Sequence, residues 1–321
     1  MPALFALILV GSARDPEVIR DRDPRILPVP EKGGLKNPQK LCFPAPHIFM
    51  IMPNPPIPVV LVHGWKSHPG IWNRLTPRLK EEEIPCWIFD YTSLNGASME
   101  TIACALRDYL ATQREEQGYN GSIDVVCHSI GSCITRYLLE VIDGHARHEQ
   151  VRQLIAIGPP NNGSALAELF CDPVIGPEIT KRLVGTFVPE NFDPVADVIV
   201  QACRPGSATM TALREAGIRP DIRYRLLCAE NLARTSSFFP CFEGKTCELL
   251  PNGTLHMTYA GDGIVPHADS VLPGATLEIL PSSPTMPDGD AGEYCHIRLP
   301  RAPEVVERVV GYLRQDSLNT G

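Results

Sequence analysis

The stretch Ile123-Asp124-Val125-Val126-Cys127-His128-Ser129-Ile130-Gly131 constrains this chain more than any other. A β-branched run ends at Cys127, and a helix-compatible pattern begins almost at once, so strand and helix are joined by a turn of one or two residues. Ser129 occupies that turn. Such a tight junction forces the serine backbone into a sparsely populated conformation and pushes its hydroxyl out beyond the end of the strand. Gly131 lets the helix pass close behind the strand. Where a glycine commonly precedes the serine by two residues, this chain has Cys127, a small but tighter residue. By itself the motif also fits a serine that merely caps a helix.

Three further segments decide between those readings. Ile57 to Val62 is an apolar, valine-rich run that reads as a buried parallel strand, and it ends in His63-Gly64-Trp65. Tyr259 to Pro266 is a short loop with a single carboxylate, Asp262. Glu293-Tyr294-Cys295-His296-Ile297 places a histidine just before the last helix. The order is therefore Ser129, Asp262, His296, unlike the order of the same residue types in chymotrypsin-like or subtilisin-like enzymes.

Together these segments resemble the α/β-hydrolase superfamily, and within it the lipases and esterases, over roughly residues 56 to 315. Ile157-Gly158-Pro159-Pro160-Asn161-Asn162-Gly163-Ser164, Pro205-Gly206-Ser207 and Asp262-Gly263-Ile264-Val265-Pro266 are similar to phrases of that family. The resemblance implies an α/β-hydrolase fold: a mostly parallel central sheet, helices on both faces and a helical lid insertion. It implies Ser129 as nucleophile, His296 as base and Asp262 as acid, with the backbone N–H groups of Trp65 and Ile130 as the oxyanion hole. The chemistry implied is carboxylic ester hydrolysis through an acyl-enzyme, on lipid-like or acylglycerol esters, with no cofactor and no metal. An acyltransferase, thioesterase, phospholipase or amidase would use the same residues. A non-catalytic lipid binder would not need them.

Other residues compete for these roles. His267, close to the acid loop, is the rival base. His63 and His128 read as local hydrogen-bonding or packing groups. Asp288, Asp290 and Glu293 are alternative acids in an acid-rich loop that solvation alone would explain.

Strand and helix patterns alternate along the chain as a parallel, doubly covered sheet requires. Strands are expected at 57–62, 84–90, 123–127, 153–157, 222–229 and 275–280, with helices near 71–82, from Ser98 to Gln117, and at 303–315. The alternation breaks between Ser164 and Thr211, where Leu166, Phe170, Phe187 and Phe192 suggest helices of a lid over the crevice. The expected organisation is an extended arm over 1–55, core over 56–163, lid over 164–211 and core again over 212–321. Phe238, Phe239 and Phe242 form a second apolar cluster, suited to lining a pocket or anchoring a loop.

The formal net charge of −8 gives no electrostatic reason to expect a nucleic-acid partner. Ala3 to Val10 is apolar but too short to span a bilayer, and no basic region precedes it. It reads as an edge strand or buried arm, which favours a cytoplasmic over a secreted location. No transmembrane segment is expected, and the substrate would be met in solution or at a lipid–water interface. Of the 11 cysteines, Cys241 and Cys247 flank a short loop and are the pair a disulfide would join. No Cys-x-x-Cys pair and no His-x-x-x-His pair appears, so a zinc site is not indicated.

Overall fold

The apolar runs become strands, and those in the middle of the sheet are covered on both faces. In a computed structural model describing residues 56–282 and 290–317, the strands are β1 (Val59–Val62), β2 (Cys86–Phe89), β3 (Ile123–His128), β4 (Val151–Ile157), β5 (Arg223–Ala229), β6 (Thr246–Leu249), β7 (Leu255–Thr258) and β8 (Thr276–Leu280). Six of them form one parallel sheet in the order β2-β1-β3-β4-β5-β8. β6 and β7 make a separate antiparallel pair. All of β1 and β3 is buried, as expected of central strands with helices on both sides.

This strand order decides where a crevice forms. From β1 the chain steps to one side to make β2, then to the other side to make β3. Connections leaving the carboxyl ends of β1 and β3 therefore diverge, and a cleft opens between them. Register puts Val62 opposite Cys127, so His63-Gly64-Trp65 and His128-Ser129-Ile130 emerge side by side at that cleft.

The helices are α1 (Leu75–Glu81), α2 (Met99–Gln117), α3 (Ile130–Arg136), α4 (Ala165–Phe170), α5 (Gly176–Leu183), α6 (Val198–Cys203), α7 (Ala208–Ala216), α8 (His267–Ser270) and α9 (Pro303–Ser317). α2 follows its sequence signals. The Ser98 hydroxyl accepts from the Thr101 amide at 3.1 Å, Ile102, Leu106 and Leu110 face the core, and Gly118 ends the helix at φ 59. The helix expected near 71–82 is split into a 3-10 turn, Pro69–Trp72, and α1. Pro77 explains the break, because a continuous helix would drive its ring into the carbonyl one turn earlier. Helices α4 to α6 lie within the 164–211 segment, between β4 and β5, and α7 runs across its end.

The β6–β7 pair is absent from the sequence expectations. Its signal was Pro251-Asn252-Gly253 between two short apolar runs. The disulfide expectation is also corrected: Cys241 and Cys247 are both free thiols. Cys247 lies within β6 opposite Met257, and its thiol faces the Met257 sulfur at 3.6 Å, away from the loop. The expected arm over residues 1–55, with its Ala3–Val10 run, lies outside the described residues. Among the described residues no helix is long and apolar enough to cross a membrane.

Candidate active site

Ser129 sits between β3 and α3 at φ 54 and ψ −128, a conformation costly for any residue with a side chain. Its neighbours hold it there. The Ser129 amide donates to the Ile157 carbonyl at 2.9 Å, and the Ser132 amide and hydroxyl both donate to the Ser129 carbonyl, at 3.0 and 2.6 Å. α3 passes so close to β1 that a Cβ on Gly131 would lie 2.5 Å from the His63 carbonyl oxygen and 2.7 Å from that of Val62. No side chain fits at that position. Cys127 is tolerated because its thiol turns toward the Ile155 carbonyl, in the adjacent strand, and is fully buried there.

Two loops bring partners to the serine. The His296 ring is 2.9 Å from the Ser129 hydroxyl through Nε2 and 2.7 Å from Asp262 Oδ2 through Nδ1. The other Asp262 oxygen accepts the amides of Ile264 and Val265, at 3.0 and 2.7 Å, which fixes the carboxylate within its own loop. The His296 amide donates to the Asp262 carbonyl at 2.8 Å, so the two loops are joined through the main chain as well. Asp262 and His296 are each about 1% exposed. Gly158, at the end of β4, has φ 56, and a Cβ there would approach Asp262 Oδ2 to 2.8 Å. Nothing local in the sequence marks Gly158 for this position.

The competing residues are engaged elsewhere. His267 bonds through Nε2 to the Ala229 carbonyl at 2.9 Å. His63 donates from Nδ1 to the Gly64 carbonyl at 2.9 Å and stacks on Tyr91 at 4.0 Å, and burial holds its pKa below the usual value. His128 does more than pack locally: its Nε2 lies 3.0 Å from the His296 carbonyl oxygen, to which it donates. Burial pushes the pKa of His128 well down, so the ring is neutral. Asp290 caps a short 3-10 turn and pairs with Arg298, while Glu293 faces a cavity beside Arg298 and Arg301. Asp288 lies outside the described residues.

The Ser129 hydroxyl opens into an apolar pocket of about 50 Å³. Leu166 and Phe170 of α4, Ile199 and Val200 of α6, and Phe187 supply much of its wall. Trp65 and Ile130 also line it, and neither of their amides donates a hydrogen bond among the described residues. Phe192 ties the 164–211 segment to this wall by edge contacts with Trp65 at 5.4 Å and Phe170 at 5.1 Å. On the other side of Trp65 is a cavity of about 300 Å³ where Lys66 pairs with Asp197 at 3.1 Å. Phe238, Phe239 and Phe242 are buried, and the Phe239 ring packs on Gly263 of the acid loop, so this cluster anchors a loop and leaves the Ser129 pocket to other residues.

A hydroxyl bonded to an imidazole, which is bonded in turn to a carboxylate, has a base positioned to take its proton. Free amides beside it suit a developing negative oxygen. Among the described residues no group of three or more His, Cys, Asp or Glu side chains is placed to hold a metal ion.

The sequence matches the model of the alpha/beta hydrolase family over residues 59–308, and the chain belongs to that family. No curated protein matches it. Among solved structures it is similar to the Bacillus licheniformis lipase BlEst2 in mature form, with 17% identity and a TM-score of 0.53 over 81% of this chain and 94% of that one. The propeptide form of the same lipase gives 17% identity and a TM-score of 0.55 over 81% of this chain, which spans about half of that longer one at 51%. At such identity these likenesses speak to the fold alone.

Proposed function

We propose that the chain is a serine-dependent carboxylic ester hydrolase of the lipase and esterase kind, with Ser129, His296 and Asp262 as its triad. The observation that carries this reading is the continuous line of two short hydrogen bonds, 2.9 and 2.7 Å, from the Ser129 hydroxyl through His296 to Asp262. A serine hydroxyl is a poor nucleophile at neutral pH. Asp262 holds the His296 proton on Nδ1 and leaves Nε2 free to take the proton of Ser129 as its oxygen attacks the ester carbonyl. The amides of Trp65 and Ile130 receive the oxyanion, each such donor contributing roughly 3 kcal/mol to lowering the barrier. His296 then protonates the leaving alcohol. Water, activated by the same imidazole, releases the acid and restores Ser129.

The acyl group enters between α4 and α6. At about 50 Å³ the pocket admits a short chain with the 164–211 segment in place. Longer lipid-like acyl chains require that segment to act as a lid and draw back.

Labelling with a fluorophosphonate, read by intact mass and peptide mapping, tests the assignment. One adduct on Ser129 is expected, absent in Ser129→Ala and suppressed in His296→Ala. Folded protein that stays unlabelled with and without detergent would sink it.

A further inference from the structure

A polar cavity lies behind the histidine-bearing stretch. It measures about 290 Å³ and is lined by Asn73, Arg74, Glu293, Arg298 and Arg301. Three guanidinium groups around one cavity are unusual in a chain with a net charge of −8. Their mutual repulsion costs energy unless carboxylates or a bound anion offset it. Among the described residues only Arg298 of these three pairs with a carboxylate, that of Asp290. Among the described residues Arg74 and Arg301 form no ion pair; Arg301 makes a hydrogen bond to the Ile297 carbonyl at 3.3 Å. By contrast Arg78, one helical turn beyond Arg74, is paired with Glu81, Glu82 and Glu307. Two of the three arginines facing the cavity are thus left with unused donors, and Asn73 adds a neutral amide. Glu293 contributes one negative charge to the wall and leaves the cavity net positive.

We propose that this cavity is a binding site for a phosphate-class anion, a phosphate monoester or pyrophosphate, held by Arg74, Arg298 and Arg301. Planar guanidinium groups present paired N–H donors that match two oxygens of a phosphate at once, which a carboxylate-poor arginine cluster is suited to do. The site is separate from the Ser129 pocket but reaches the same stretch of chain. Arg301 bonds to the carbonyl of Ile297, the residue after His296. Its charge also acts on His128, whose ring holds the His296 carbonyl. An anion bridging Arg74 to Arg301 would join the turn after Pro69–Trp72 to the histidine-bearing stretch and brace it.

The same chemistry occurs in a free phosphate and in a phospholipid headgroup, and the test separates the two. Full-length protein is titrated with inorganic phosphate and with pyrophosphate by calorimetry at low salt. In a parallel arm it is sedimented with vesicles of phosphatidylglycerol and, as control, phosphatidylcholine. Saturable binding of one pyrophosphate per chain with a rise in thermal midpoint is expected, and Arg74→Gln with Arg301→Gln should weaken it about tenfold or more. Selective sedimentation with phosphatidylglycerol, lost in the same double variant, would identify a lipid headgroup as the ligand. Pyrophosphate binding without sedimentation would identify a free anion. Arg107→Gln, which removes an exposed arginine paired with Asp108, should leave binding intact. Should the double variant fail to fold, Arg74→Gln alone decides, because Arg74 is exposed and unpaired among the described residues. The proposal is overturned by wild-type protein that takes up neither anion nor vesicle, by undiminished affinity in the arginine variants, or by an equal loss in Arg107→Gln.

Discussion

Ser129 keeps a backbone conformation that its own side chain disfavours, and the surroundings that enforce it belong to β1, β4 and α3. Gly131 is the clearest of these. Replacing it with valine would force atoms against the carbonyls of Val62 and His63, which are main chain and cannot rotate away. Gly131→Val is expected to destabilise the fold by about 1–3 kcal/mol and to reduce ester turnover as the serine shifts. Urea denaturation compared with wild type checks this, and an unchanged midpoint would refute it. Asp262 offers a cleaner test of chemistry. In Asp262→Asn the amide oxygen can still accept from Ile264 and Val265 while its NH₂ faces His296 Nδ1. The proton is then driven onto Nε2, where it blocks the base. A fall in kcat of about 10⁴ is expected with little change in thermal midpoint, measured on a p-nitrophenyl ester; a fall of only a few-fold would argue against Asp262 as the acid. Ser129, Asp262 and His296 could be picked from the sequence because each stands in a characteristic local phrase. The bond from His128 to the His296 carbonyl could not, since it joins residues 168 positions apart.

Elements add a link between the 164–211 segment and the core. Asp269, in α8, accepts the Ala165 amide at the start of α4 at 2.7 Å. Burial raises its pKa to about 7, against the opposing pull of that amide. An unfolded aspartate titrates near about 3.9, so the folded state binds its proton more tightly. The stability this contributes is complete below that value and is lost as pH rises through about 7. Asp269→Asn keeps an acceptor for Ala165 and removes the titration. Its thermal midpoint relative to wild type is therefore expected to rise between pH 5 and pH 8, by scanning calorimetry. A difference that does not change with pH would show that Asp269 does not titrate in this range. Helix α2 was legible in sequence down to its capping serine and terminal glycine, because those signals are local. The split before α1 and the β6–β7 pair were legible only in part. One hung on how a proline meets a carbonyl a turn away, and the other on two short runs that stabilise each other only once paired.

Across the whole molecule, the site depends on strand order. β1 and β3 are neighbours although β2 lies between them in sequence, and β5 is followed by a long excursion before β8 takes the edge. Ser129, Asp262 and His296 meet because these connections all leave the same end of the sheet. The helices on its flanks supply much of the energy. Leu79 of α1 is fully buried where α1 packs against α9. Leu79→Ala is expected to cost about 2–5 kcal/mol while leaving turnover per folded molecule unchanged. Denaturant titration beside an active-site count would check both parts, and a loss of turnover in the folded fraction would contradict the second.

The sequence by itself determined the parallel α/β architecture, the strained serine turn, and the order of a serine, an aspartate and a histidine that the fold brings into hydrogen-bond contact. These are written in hydrophobic period, in glycine placement and in residue type, all of which act over a few positions. Only the tertiary structure decided which histidine faces Ser129, which carboxylate faces that histidine, and that Cys241 and Cys247 stay unbridged. It alone set the pocket against α4 and α6 and gathered Arg74 with Arg298 and Arg301. Such pairings depend on the register and direction of strands far apart in the chain, and no local pattern carries that information.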